Sequence, residues 1–172
     1  MKRPFLIFCL FILVSLVGFL LLYKQEPVKF TRVEQGKFSI SVPEYLTPTD
    51  SIDPAALLQY QNEKEQMFLL VYEKADTVEH SFEDFFKKFA NDLIARVGDA
   101  TLLKYYPKKI NGCNAIIGNI RGKVNGTGVY YRVALVEARN AFYEIIVGIA
   151  DDNRSNFEED INSVIHGFRP AQ

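Results

Sequence analysis

Two Asn-Gly pairs, Asn111-Gly112 and Asn125-Gly126, constrain this chain more than any other feature. The first stands between "ATLLKYYPKKI" and "CNAIIGNIRGKV", the second between that run and "VYYRVALVEA". A two-residue hairpin loop of type I′ needs positive φ at both central positions. Gly adopts that freely and Asn tolerates it, so Asn-Gly between alternating runs is a strong hairpin signal. A third break at Arg139-Asn140 leads into "AFYEIIVGIA". Four strands in an antiparallel meander are therefore expected, and the rest of the chain must be built around them.

Upstream, "KFSISVP" places Phe38, Ile40 and Val42 on one face and stops at Pro43, as a half-buried strand does. An edge strand is expected at 28–33. "ALLQYQN" and "EQMFLLVYEKA" read as two strands joined at "NEKE", after a Pro- and Asp-rich loop, "EYLTPTDSIDP". Two segments change period. In "SFEDFFKKFANDLIARVG", Phe82, Phe85, Phe86, Phe89, Leu93 and Val97 recur at helical spacing. Ser81 is the expected N-cap and Gly98 the residue that ends the helix. In "SNFEEDINSVIHGF", Phe157, Ile161, Val164, Ile165 and Phe168 form a second stripe, and Ser155 with Glu158 has the spacing of a capping box. The order of elements indicates an α+β domain with an antiparallel sheet of six or seven strands flanked by helices, an α/β/α sandwich.

The chain begins "MKRPFLIFCLFILVSLVGFLLLYKQEP". Residues 5–23 carry no charge and, as a helix, span roughly 28 Å, close to the hydrocarbon core of a bilayer. Bulky residues occupy the end of the run, where a cleaved signal needs small ones. An uncleaved transmembrane anchor is expected, with cleavage near Gly18 as the rival. The short basic N-terminus, Lys2 and Arg3, stays in the cytoplasm, which sends the domain to the extracytoplasmic, periplasmic side; a reversed anchor is the alternative. The organisation expected is an anchor at 1–24, a spacer at 25–36 and a globular domain at 37–172.

The full chain has 20 basic and 21 acidic residues. Without Lys2 and Arg3 the remainder is 18 against 21, so the field needed for nucleic acid is missing. Cys113 is the one cysteine outside the apolar opening, which excludes an intrachain disulfide within the domain.

The strand and turn "FSISVPEYL", the Phe-rich helix at 81–97, the long meander and the ending "GFRP" together resemble the PsbP-like superfamily over roughly residues 36–170. That group includes extrinsic photosystem proteins, bacterial secreted or anchored relatives and a Ran-binding nuclear-import factor. The resemblance implies an antiparallel sheet sandwiched by helices and no common enzymatic activity. It carries no functional residue onto a position here.

Catalytic signatures are sparse. His80 and His166 are the only histidines, and neither has a second His one helical turn away, so no metal site is expected. "ADDNRSNFEED" lacks the alternating pattern of a calcium loop. No phosphate-binding glycine loop and no nucleophile elbow occur, and no cofactor is implied. Tyr106, Tyr130 and Arg132 stand out instead. Tyr131, Val133 and Leu135 take the apolar face of their strand, which leaves Tyr130 and Arg132 on the other, expected to be accessible and to bind a partner. The reading is a membrane-tethered extracytoplasmic binding or assembly module without catalytic activity, held to the lipid bilayer by residues 5–23. Its expected partners are other envelope proteins or a small ligand. The alternative is an enzyme of unrecognised type that uses Cys113 or a carboxylate cluster in a cleft.

Overall fold

The computed structural model describes residues 27–75 and 81–171. The expected anchor, and His80, lie outside the described residues. Among the described residues no helix is long and apolar enough to cross a membrane.

The strands are β1 Phe30–Gln35, β2 Phe38–Pro43, β3 Thr47–Pro48, β4 Leu58–Asn62 and β5 Met67–Ala75. Helix α1, Phe82–Val97, follows, then β6 Asp99–Ile110, β7 Cys113–Val124, β8 Thr127–Glu137 and β9 Ala141–Ala150. A single 3₁₀ turn, Asp151–Asn153, runs directly into α2, Arg154–His166, and β10 is Arg169–Pro170. Seven strands form one antiparallel sheet in the order β3-β4-β5-β9-β8-β7-β6. Both Asn-Gly turns form as expected: Asn111 and Gly112 have φ of 48° and 90°, and Asn125 and Gly126 have 51° and 82°.

Each face of this sheet carries its own core. On one face α1 lays its phenylalanines over Leu70, Ile116, Ile120, Val133, Leu135 and Ile146. Phe86 is fully buried and reaches so deep because Gly118 lies beneath it; a Cβ there would stand 2.6 Å from the Phe86 ring. Ser81 caps the helix, its Oγ accepting from the Asp84 N–H at 3.2 Å. The opposite face carries Tyr130, Ala134, Val136, Tyr143, Ile145 and Val147 beneath β2 and α2. Phe38, Tyr143 and Phe168 meet there in a ring triangle with centroids 5.2–5.4 Å apart.

Two expectations are corrected. The sheet is not flanked by helices alone: β2 pairs with β1 and β10 in a separate three-stranded sheet, which covers the second face together with α2. The alternation of Phe38, Ile40 and Val42 is the same whether a strand joins a sheet or packs face-on across it. The capping box of α2 also does not form. No side chain caps that helix, because the preceding 3₁₀ turn continues into it. Glu158 turns instead to two arginines, Arg132 at 3.1 Å and Arg154 at 3.2 Å.

Candidate functional site

Two clefts flank the seven-stranded sheet, one on each face. The first, of about 640 Å³, lies between α1, β5, β9 and the loop before β4. Its wall is apolar, formed by Phe85, Phe89, Leu93 and Ile146, and its charged groups are Lys74, Lys88 and Arg96 with Asp53, Asp84, Asp92 and Glu144. The loop is held by Gln59, whose Oε1 accepts from the N–H groups of Ile52 and Asp53 at 3.1 and 3.0 Å and whose Nε2 donates to the Asp53 carbonyl at 2.7 Å. That presents the Asp53 carboxylate to Tyr72, whose hydroxyl donates to it at 2.9 Å, with Arg96 at 3.7 Å. The Ala55 N–H and the Tyr72 hydroxyl hold the Asp53 carboxyl below its usual range. Burial, then the Asp53 carboxylate, pushes the Tyr72 hydroxyl up. Glu144 pairs with Lys74 at 4.0 Å, and burial raises its carboxyl above the ordinary value. One cleft thus holds two carboxylates that their environments push in opposite directions.

The second cleft, of about 600 Å³, lies between α2 and strands β6, β7 and β8. It contains all three residues singled out from the sequence: Tyr106, Tyr130 and Arg132. The structure brings them together but corrects their exposure. Tyr130 is 1% and Arg132 6% exposed, while Tyr106 is half-buried, so no open platform exists. Tyr131, Val133 and Leu135 are buried as expected, but against α1; the other face of β8 is equally covered, by α2. Arg132 is fully engaged at the cleft base, its Nε donating to the Tyr130 hydroxyl at 3.2 Å and its terminal nitrogens to Asn162 at 2.7 Å and Glu158 at 3.1 Å. Arg154 stacks over the Tyr130 ring, 4.4 Å from its centroid. α2 is pinned in place by Asn111, whose Nδ2 donates to the carbonyls of His166 and Phe168 at 2.9 and 2.6 Å.

Cys113 is half-buried at the start of β7, in a third hollow shared with Glu137, Arg139 and Arg169. His166 lies instead in the second cleft, with its Nδ1 2.8 Å from the Asn162 carbonyl. Among the described residues no three His, Cys, Asp or Glu side chains are grouped so as to hold a metal ion.

Sequence reasoning missed Asp53, Tyr72 and Glu144 in the first cleft and Asn119 in the second. For two of these a signal existed. Glu144 is the lone charge in "AFYEIIVGIA" and Asn119 the second amide in "CNAIIGNI", and a polar residue inside an apolar strand needs a reason to be there.

No protein-family model matches the sequence, and no curated protein matches it. Solved structures do match, and they define the class: a PsbP-like fold. Cyanobacterial PsbP (CyanoP) from Synechocystis sp. PCC 6803 superposes with a TM-score of 0.67 at 14% identity, over 86% of this chain and 95% of that one. The Saccharomyces cerevisiae Ran-binding protein Mog1p superposes with a TM-score of 0.63 at 11% identity, over 85% and 97%. LpqN, involved in cell envelope biogenesis of Mycobacterium tuberculosis, gives 0.51 at 11% identity, over 86% and 93%. At these identities the likeness is one of fold.

Proposed function

We propose that this chain is a binding module without chemistry of its own, tethered to a membrane by residues 5–23 and working on the extracytoplasmic side, and that it takes a protein partner at the α1 cleft. The observation that carries the reading is the make-up of that cleft: an apolar wall of Phe85, Phe89, Leu93 and Ile146 rimmed by charges of both signs. An apolar centre with a polar rim is the anatomy of a protein interface. Proteins of the same fold named for Ran binding and for cell envelope biogenesis support a role in recognition.

A photo-crosslinking residue at Lys88 in the full chain should trap a discrete protein in native membranes, and Arg96→Glu should abolish the product. The same probe at Lys64, on the turn between β4 and β5, should give none. Equal products at both positions would remove the cleft from the proposal. Location is tested separately. Intact mass of the membrane-extracted protein should include residues 1–23, and a membrane-impermeant maleimide should reach Lys64→Cys, in a Cys113→Ser background, from outside the cytoplasmic membrane.

A second reading has one observation in its favour. The opposed shifts of Asp53 and Glu144 within one cleft are the environment that assigns base and acid roles to two carboxylates. If Asp53→Asn left partner capture intact but abolished turnover of a substrate found by screening, the enzyme reading would replace the binding one.

A further inference from the structure

The second cleft differs from the first in two respects that bear on what it holds. Its charge is one-sided. Lys104, Lys108, Arg132 and Arg154 face a single carboxylate, Glu158, although acidic residues slightly outnumber basic ones in the whole chain. Its polar groups are also incompletely satisfied. Asn119 is 4% exposed and its Oδ1 has no hydrogen-bond partner among the described residues; the same is true of the buried Nε of Arg154. Nine in ten buried polar groups in folded proteins are bonded, and an orphan costs roughly 1–3 kcal/mol. Two orphans in one cleft mark a place arranged for something other than internal packing.

The backbone is shaped toward the same end. Asn119 lies opposite Arg132 in the β7–β8 register and opposite Lys104 in the β6–β7 register. The second pairing exists because the register of β6 slips between Leu102 and Lys104. Leu102 packs with the α1 core, whereas Lys104, two residues on, faces the other side and lines the cleft. A bulge costs ladder hydrogen bonds and re-aims a side chain, which is why bulges gather at binding sites. Arg132 cannot itself be the group that needs the ligand, since Tyr130, Asn162 and Glu158 already hold it. It supplies fixed positive charge at the base, while the lysines are exposed at the mouth.

We propose that the cleft between α2 and strands β6–β8 binds a phosphate monoester whose body carries a hydroxyl, the phosphate lying among Lys104, Lys108 and Arg154 and the hydroxyl donating to Asn119 Oδ1. Several cations lining one cleft suit a dianion better than a single carboxylate, and arginine and lysine together are the usual phosphate partners. The hydroxyl is required by the orphan, which is an acceptor and so takes a donor that the dianion of a phosphate monoester lacks. About 600 Å³ is of the size that takes a small metabolite. The same chemistry occurs in a soluble sugar or polyol phosphate and in a lipid headgroup.

Isothermal titration of the full chain in a neutral detergent at physiological salt tests this. Glycerol 3-phosphate should bind saturably with Kd below about 1 mM, and Lys104→Glu with Lys108→Glu should weaken it by about tenfold or more. Both lysines are exposed, so these changes leave the fold in place. Asn119→Ala should weaken glycerol 3-phosphate several-fold and leave methyl phosphate unchanged when both are titrated as dianions, because only the former then offers a hydroxyl. Hexanoyl lysophosphatidic acid, which keeps one free glycerol hydroxyl, distinguishes the sources: tighter binding than glycerol 3-phosphate assigns a lipid headgroup, weaker binding a soluble ligand. Absence of saturable heat with all three probes up to about 10 mM would overturn the proposal, that being weaker than any useful site. So would binding that survives the double charge reversal.

Discussion

The two faces of the seven-stranded sheet are closed by different physics. On the α1 face a Phe-rich helix covers a cluster of apolar and aromatic side chains, and charge other than that of Glu144 stays at the rim of its cleft. On the other face a small sheet and α2 close over an aromatic core that includes a buried arginine with three partners. Burial of apolar area is non-directional and tolerates adjustment. A buried guanidinium is directional, and it costs free energy whenever a partner is missing. The first face therefore provides stability, while the second trades some of it for a fixed arrangement of charge.

The largest effect expected is on the apolar face. Phe86→Ala should cost on the order of 3–5 kcal/mol in chemical denaturation, because the ring is fully buried over Gly118 and nothing can collapse into its place. A loss below about 1 kcal/mol would mean that α1 repacks and that this face is not a close-packed core. On the other face Arg132→Ala should cost about 2–3 kcal/mol, discounted from a fully buried pair because Glu158 is 40% exposed. Arg132→Met, which keeps the volume and removes the charge, should cost less than about 1 kcal/mol. If both variants lose the same amount, volume rather than ionic pairing holds this face, and the contrast between the two faces disappears.

The helix starts sharpen the comparison on a smaller scale. Ser81→Ala removes the observed cap of α1 and should cost about 1 kcal/mol. Ser155→Ala removes no cap from α2 and should stay within about 0.5 kcal/mol.

The smallest effect concerns Glu144, the charge that intrudes on the α1 face. Burial raises its carboxyl above the ordinary value, so the folded chain takes up this proton more readily than the unfolded one. That contribution is fully present below the unfolded value of about 4.3 and is lost as pH rises through the raised folded value. Glu144→Gln should therefore match the wild type in stability near pH 4 and exceed it at pH 7 by a margin within about 1 kcal/mol, read from thermal melts across that range. An equal offset at both pH values would assign the difference to lost contacts instead.

Local chemistry was enough to reveal much of this molecule. Asn111-Gly112 and Asn125-Gly126 determined two hairpins because few other residue pairs accept positive φ twice in succession. The spacing of Phe82, Phe86 and Phe89 determined α1 and its buried side, and Ser81 and Gly98 its ends. The polar break at Arg132 in an apolar strand marked a place of interest. Tertiary structure alone decided the rest. A period of two states which side chains share a face but not what covers each face, so Tyr130 and Arg132 were expected in the open and lie beneath α2. It also does not choose pairing partners, so the sheet was expected between helices, whereas β2 builds a second small sheet over one of its faces. Glu158 had the right spacing for a cap, yet a buried guanidinium 26 residues earlier attracted it more strongly than a backbone N–H that a 3₁₀ turn had already accommodated. Asn119 stood out as a polar residue in an apolar strand, but its meaning depends on Lys104 and Arg132, which are neighbours only through register. Side chains that meet across strands are set by pairing and bulges, and those are properties of the closed fold, not of any window of sequence.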